Sequence, residues 1–517
     1  MKTQVLVVGA GPVGMTMAAE LARQGISVRL VDKAAERTDK SKALVLWSRT
    51  LELLDRGGMS GRACVARLLA AGNKVGGVNI VAGEGKVIGH LSLAKVPSPY
   101  PFALMLPQSE TERLLDEHLE RLGVRVERPV ELTTFGGDEG SGGVRAVLRA
   151  ADGREETVHT DWLVGCDGAH STVRHTLGMP FLGNTLTSDW MLADIHLVGY
   201  PFPESEIAIY WHPKGVLVIF PISPGRFRVV ADIGTSNDQP PTAPTLAQAQ
   251  AIIAERGPRG LAASDPVWLS AFRINERKVA DYRGGPAGWA GRVLVAGDAA
   301  HVHSPAGGQG MNTGMQDAFN LAWKLAMVCR GVCGERLLES YSIERSAIGE
   351  QVLKAAGRLT MAAVLKNPAL QAVRNFVGHA LLGLSPVREA MADTMTEIAV
   401  GYGGTASPLN GPHTRGVPGP QPGERVEPGR TGGTDFPAAE LQSGREDRER
   451  GPRFVLHGER SAAVGELLTK YPDLLDNRLL AALQPGGLWL VRPDGYVACA
   501  VRADETAAIA GFLDGLR

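Results

Sequence analysis

Three glycine-rich turns hold the residues best suited to chemistry. The first is Gly9-Ala10-Gly11-Pro12-Val13-Gly14, followed at a distance by Asp32 and Lys33. Glycines at this spacing permit a tight turn, the approach of a pyrophosphate to the backbone, and close packing of a helix on a strand. A helix beginning at Pro12 directs the positive end of its dipole at that pyrophosphate. Asp32, about twenty residues on, is placed to accept hydrogen bonds from an adenosine ribose. The pattern reads as a dinucleotide site and does not separate NAD from FAD.

The second turn narrows the choice. Gly297-Asp298-Ala299-Ala300-His301 follows an apolar run, and Pro305-Ala306-Gly307-Gly308-Gln309-Gly310-Met311-Asn312 leads into a helix. Asp298 at the carboxyl end of a strand can bind a polyol hydroxyl. The glycines let backbone N–H groups approach a flat ring, and the helix dipole stabilises negative charge on a reduced isoalloxazine. The third turn is Cys166-Asp167-Gly168-Ala169-His170-Ser171. Asp167 taken alone is more often a helix cap than a ligand-binding acid. His301 and His303 can relay protons or serve as structural histidines bonded to the backbone. Arg37, Lys40 and Lys42 form a basic cluster, read either as a guide for phosphates or as a solvated face.

The elements that must position these turns follow from periodicity. Gln4 to Val8, Ile26 to Val31, Trp162 to Cys166 and Arg292 to Ala296 are short apolar runs suited to buried parallel strands. Helices are expected from Pro12 to about Gln24, after Gln108, and from Asn312 to Arg330, with Gly25, Gly123 and Gly331 as stops. Strands alternating with helices imply an α/β fold with a doubly wound sheet. Asp189 to Val198, Glu206 to His212, Gly215 to Pro221 and Arg226 to Ile233 read as antiparallel strands joined by Pro-Lys-Gly and Ser-Pro-Gly turns. The expected plan is a nucleotide domain in two parts, 1–184 and 271–400, with an inserted sheet at 185–270. A connection at 401–452 then leads to a small α/β domain at 453–517.

Composition sets the bounds. The chain has 517 residues, a formal charge of −1 and 64 glycines, about 12% against the usual ~7%. Near-neutral charge argues against nucleic-acid binding. Five cysteines without a CxxC pair argue against a disulfide framework or a metal site and fit a reducing cytoplasm. No apolar run approaches the ~18 residues of a membrane span, and no signal peptide is apparent.

The three motifs, in this order, resemble the single-component FAD-dependent aromatic hydroxylases of the p-hydroxybenzoate and phenol hydroxylase type. Arg49-Thr50-Leu51-Glu52, Pro107-Gln108-Ser109-Glu110, Phe272-Arg273-Ile274 and Leu337-Leu338-Glu339-Ser340-Tyr341 add to the likeness. The tail, with Arg492-Pro493-Asp494-Gly495, resembles the thioredoxin-like domain of the polyketide-hydroxylase branch, without redox-active thiols. The resemblance implies a Rossmann-like FAD-binding domain and a monooxygenase reaction. NAD(P)H reduces FAD, O2 forms a flavin C4a-hydroperoxide, and its distal oxygen passes to a phenolic or polyketide-like ring. It also implies that Gln108 and Asp298 contact the flavin–ribityl region. Asp167 handles FAD and NAD(P)H, and Pro305 to Gly310 pack on the isoalloxazine. Lys42 stands where the family often carries Arg, whose bidentate contact lysine cannot make. A homodimer is the family-based expectation. The rival readings are an NAD(P)H oxidase or reductase that never hydroxylates, and a non-catalytic FAD-binding protein.

Such chemistry needs an apolar, water-excluding pocket with a proton acceptor near the substrate hydroxyl. The sequence places it between the inserted sheet and the flavin loop, with Pro305, Tyr210 and His212 as the catalytic candidates. Strand alternation sets Tyr210 and His212 on one face and Trp211 on the other, and leaves open which face is inward.

Overall fold

In the computed structural model, residues 3–39, 41–82, 85–138, 140, 142–235, 241–284, 288–363, 365, 367–428 and 451–517 are described. Lys40 of the basic cluster and part of the 401–452 connection lie outside them. The fold is α/β, as the motif spacing predicts.

The first sheet begins where the sequence does. Thr3–Val8 pairs in parallel with Val28–Val31 on one side and with Glu155–Gly165 on the other. The short strand Val293–Val295 joins the far edge of Glu155–Gly165, also in parallel. Val5 to Val8, Leu30 and Val31, Trp162 to Val164 and Val293 to Val295 are buried, as strands covered on both faces require. The sheet is nevertheless mixed. Val144–Ala150 and Val130–Gly137 extend it antiparallel, because the turns at Asp138–Gly143 and Ala150–Arg154 are too short for a crossover. Helix Pro12–Arg23 buries every residue but Val13 and Arg23, and helix Gly310–Cys329 packs beside it.

The second sheet has eight strands. Its centre is the long pair Leu182–Val198 and Ala262–Lys278, then Arg226–Thr235, Gly215–Ser223 and Glu206–His212. It is wider than the 185–270 segment. Gly77–Ala82 pairs in parallel with Glu206–His212, and Lys86–Ser92 completes that edge. At the other edge His301–Val302 pairs with Arg277 and Lys278. The sheet therefore ends on the residues that precede Pro305, so sheet and flavin loop are covalently and hydrogen-bond continuous.

Each face of this sheet has its own cover. Helix Leu246–Arg256 packs Ala249 and Ile253 against Ala208, Tyr210, Leu217, Ile219 and Val229. The other face carries Ile209, Val218 and Phe220, which cluster with Val45 and Trp47 and with Ala392 and Met395.

Residues 454–514 form a four-stranded sheet with helices Ala462–Lys470 and Thr506–Asp514. The described part of the connection does not run free. Val426 donates its N–H to Gly495 O and Gly423 to Val497 O, so the segment is laid along the sheet edge. Among the described residues no helix is long and apolar enough to cross a membrane, and no group of His, Cys, Asp and Glu is arranged to hold a metal.

Candidate functional site

The first turn meets the physical demands of a pyrophosphate cradle. Gly9 has φ +98°, and a Cβ there would lie 2.4 Å from Cys166 O. A Cβ on Gly14 would lie 1.8 Å from Gly9 O, so the helix can approach the strand only as glycine. Gly11 faces open space, with nothing within 4 Å of its Cβ position. The three glycines thus serve turn, ligand approach and packing in turn. Pro12 is the first residue of a helix whose start has no side-chain cap and no acid in its first turn, which leaves its N–H groups and dipole for an anion.

Asp32 holds the turn together. Its Oδ2 accepts from Ala10 N–H at 2.6 Å, and its Oδ1 from Ala34 N–H at 2.8 Å. Arg128, unforeseen from sequence, lies 3.5 Å from Asp32 and donates to Ala10 O at 3.0 Å. A carboxylate has about four acceptor positions, so room remains for ribose hydroxyls. Lys33 beside it is exposed.

The second turn is packed on the first. Val13 lies against Gly297 and Gly314, and Val295 and Ala296 are buried beneath. Asp298 follows and is open to solvent. Its surroundings push its carboxyl upward, while His301 and Lys42 pull it down. Lys42 is exposed and its charge reaches Asp298, whereas Arg37 pairs with Asp116 at 3.7 Å. The basic cluster therefore does not act as one patch.

Gln108 and Asn312 are occupied by the protein itself. Gln108 Oε1 accepts from Ala43 N–H at 3.1 Å, and its Nε2 donates to Glu112 at 2.9 Å, which pins the segment carrying Lys42. Asn312 donates to Val45 O and Gly308 O and accepts from Trp47 N–H at 2.8 Å. What Asn312 can offer a ligand is its backbone N–H at the uncapped start of helix Gly310–Cys329. Half-buried Met311 lies in the same first turn. Trp47 donates to Gly307 O at 3.0 Å. Gly307 and Gly308, at φ +88° and +64°, bend the loop so that Pro305 is exposed above it.

Asp167 does what a cap does. It accepts from Ser171 Oγ at 2.5 Å and from Val173 N–H at 3.1 Å. Arg174 then ties this turn to Ala299 O at 3.1 Å. His301 donates to Asp317 at 2.8 Å, and Asp317 also accepts from Gly297 N–H at 3.0 Å. Burial pushes His303 down to about 4, so it is neutral at pH 7. Its Nδ1 donates to Ser304 O at 2.8 Å, and its buried Nε2, without a partner among the described residues, lies beside Gly310. That lone pair under the loop is a feature the sequence could not settle.

Tyr210 and His212 lie on the side of the sheet covered by helix Leu246–Arg256, where Tyr210 is buried and its hydroxyl has no partner among the described residues. Burial raises the Tyr210 phenol well above its ordinary value. The face toward Val45, Trp47 and the loop carries the odd-numbered residues Ile209 and Trp211, with Val218 and Phe220, all half-buried.

Two uncapped helix starts, an open glycine cradle and an accessible carboxylate fit FAD in extended form. The FAD binding domain family profile matches residues 2–356. The chain belongs to this FAD-binding family. The 6-methylpretetramide 4-monooxygenase of Streptomyces rimosus is 36% identical over 99% of this chain and 93% of its own. The pentachlorophenol 4-monooxygenase of Sphingobium chlorophenolicum is 32% identical over 68% of this chain and 63% of its own. Among solved structures, the OxyS anhydrotetracycline hydroxylase from Streptomyces rimosus superposes with a TM-score of 0.77 at 27% identity, covering 100% of this chain and 99% of that one. The protein is a flavoprotein aromatic monooxygenase.

Proposed function

We propose that the substrate is a polycyclic phenol, bound between the loop Pro305 to Gly310 and the inner face of the eight-stranded sheet. The observation that carries this reading is the contact of Val45 and Trp47 with both parts. Trp47 bonds Gly307, and both residues cluster with Ile209, Val218 and Phe220. The apolar face of the sheet and the flavin loop are thereby packed on the same two residues. The named substrates of the two relatives similar over nearly all of this chain, 6-methylpretetramide and anhydrotetracycline, support a fused-ring phenol.

Bound FAD supplies reduction by NAD(P)H and activation of O2. The protein's own residues bind, orient and exclude water. Gly9, Gly11, Pro12, Val13 and Gly14, with Asp32, would receive the adenosine diphosphate half. Asp298 and Lys42 would face the ribityl chain. The N–H groups of Gly310, Met311 and Asn312 would meet the pyrimidine edge of the ring and stabilise negative charge there. Val218, Phe220 and Trp211 would keep water from the reacting carbon.

The test is a panel of simple and fused-ring phenols offered to the FAD-loaded enzyme with NAD(P)H and labelled O2. The expected result is faster NAD(P)H oxidation and one labelled oxygen in a fused-ring product. Label found only in hydrogen peroxide would support the oxidase reading.

A further inference from the structure

A buried acid underlies the start of the helix that the flavin loop feeds. Glu397 is 2% exposed and sits at φ +61°, a conformation that L residues seldom hold. Its carboxyl points at helix Gly310–Cys329. One oxygen accepts from Thr313 Oγ at 3.0 Å and the other from Gln316 Nε2 at 2.6 Å. One turn earlier Gln309 Nε2 donates to Thr394 O at 2.9 Å. Gln309, Thr313 and Gln316 therefore fasten one side of the helix start to residues 394–397.

Both side-chain donors to Glu397 are neutral. The charges that face it are Arg345, from helix Glu339–Ala363, and Asp317, from the same helix as Thr313. Arg345 is already committed, at 2.7 Å to Asp317 and 3.0 Å to Thr313 O. Arg49 meets this segment only through its backbone N–H, on Thr396 O, and pairs its guanidinium with Glu52. A buried carboxylate without a cation of its own is costly, whereas the neutral acid can donate to Thr313 Oγ and accept from Gln316.

We propose that Glu397 carries a proton in the folded protein and, as a neutral acid, positions the start of helix Gly310–Cys329 for FAD. Burial pushes its carboxyl up to about 8, against the pull of Thr313, Arg345 and Gln316. Neutrality matters because a negative charge within about one turn of the helix start would offset the dipole offered to the flavin. The positioning role rests on the assignment of this loop to FAD; the protonation does not.

Glu397→Gln copies the neutral acid in shape and hydrogen bonding, so the pair of proteins tests both parts. An acid protonated only when folded makes stability fall as pH rises from the usual carboxyl range to about 8, and flat above. In apoprotein melts the wild type is expected to show that fall, and Glu397→Gln to lack it and melt higher at pH 8.5. A variant that keeps the slope, or melts lower throughout, would overturn the protonation. For FAD, the wild-type Kd is expected to rise about tenfold from pH 6.5 to 9 while the variant's stays constant. Equal pH dependence in both would overturn the positioning role. If neither protein binds FAD, the loop assignment fails while the melts still decide the proton. Should the variant not fold, an infrared carboxylic-acid band of the wild type that titrates near pH 8 decides; its absence at pH 6 overturns the proposal.

Discussion

Val13 rests on Gly314: a Cβ added to Gly314 would come within 2.7 Å of Val13 Cγ2 and 3.1 Å of Gly297 Cα. This contact joins the helix behind the pyrophosphate turn to the helix behind the flavin loop, with the Gly297-Asp298 turn caught between them. The two halves of the FAD site are thus spaced by one side chain and two missing ones.

Gly314→Ala is therefore expected to weaken FAD binding by about tenfold or more, equivalent to about 1.4 kcal/mol. Val13→Ala removes the opposing methyl groups and is expected to restore much of that loss in the double variant. A double-mutant cycle on the FAD Kd measures the coupling. Strict additivity would mean that the contact does not set the site.

Asp298 has no hydrogen bond to protein among the described residues and is open to solvent. Asp298→Ala is expected to leave the apoprotein melting temperature nearly unchanged, as surface changes do, while lowering the flavin retained on purification. Absorbance per mole of protein and apoprotein melts decide it together.

The two faces of the eight-stranded sheet predict opposite outcomes. Tyr210→Phe deletes a buried hydroxyl that has no partner among the described residues, so kcat/KM is expected within about twofold of wild type. Phe220→Ala opens the wall beside the loop, and more of the consumed NAD(P)H should appear as hydrogen peroxide. Comparing peroxide yield per NAD(P)H oxidised in the two variants checks the face assignment.

The tail hairpin is a structural part of the flavin helix. Arg492, fully buried, pairs with Glu344 at 2.7 Å and with Asp494 at 2.5 Å. Glu344 in turn holds Lys324 at 2.8 Å, and Trp323 donates to Asp494 at 3.1 Å; both lie on helix Gly310–Cys329. Removing one partner strands buried charge, so Arg492→Met is expected to cost about 3–5 kcal/mol in urea unfolding. Burial alone would raise Glu344, but Arg492 and Lys324 hold it far below the usual 4.5. Its stabilising effect is therefore present above pH 4.5 and is lost as pH falls below that value. Urea midpoints from pH 3 to 7 are expected to show this acid loss in the wild type and a reduced one in Glu344→Gln.

How much of this was legible in the residues depends on the range of the interaction. Gly9 by its positive φ and Gly14 by its approach to Gly9 O meet local backbone demands, and Gly11 leaves room for a ligand, so their spacing alone locates the turn and its helix. Asp167 shows the other side of locality: its cap bonds to Ser171 and Val173 are what a short motif most often means. Tyr210 and His212 could be placed on one face by alternation, but the inward face is fixed by helix Leu246–Arg256 and by Val45 and Trp47, distant in sequence. Gly77–Ala82 escaped notice as part of the sheet because its parallel partner, Glu206–His212, lies far along the chain. Glu397 stands in no motif; its role follows only from being buried against Thr313 and Gln316.

The most direct measurement is the crystal structure of the protein with FAD and a fused-ring phenol bound. The isoalloxazine is expected at the N–H groups of Gly310 to Asn312, beneath Pro305, with the phenol against Val218 and Phe220. A ring system bound instead on the Tyr210 side of the sheet, or FAD held away from Gly11 and Asp298, would contradict the account.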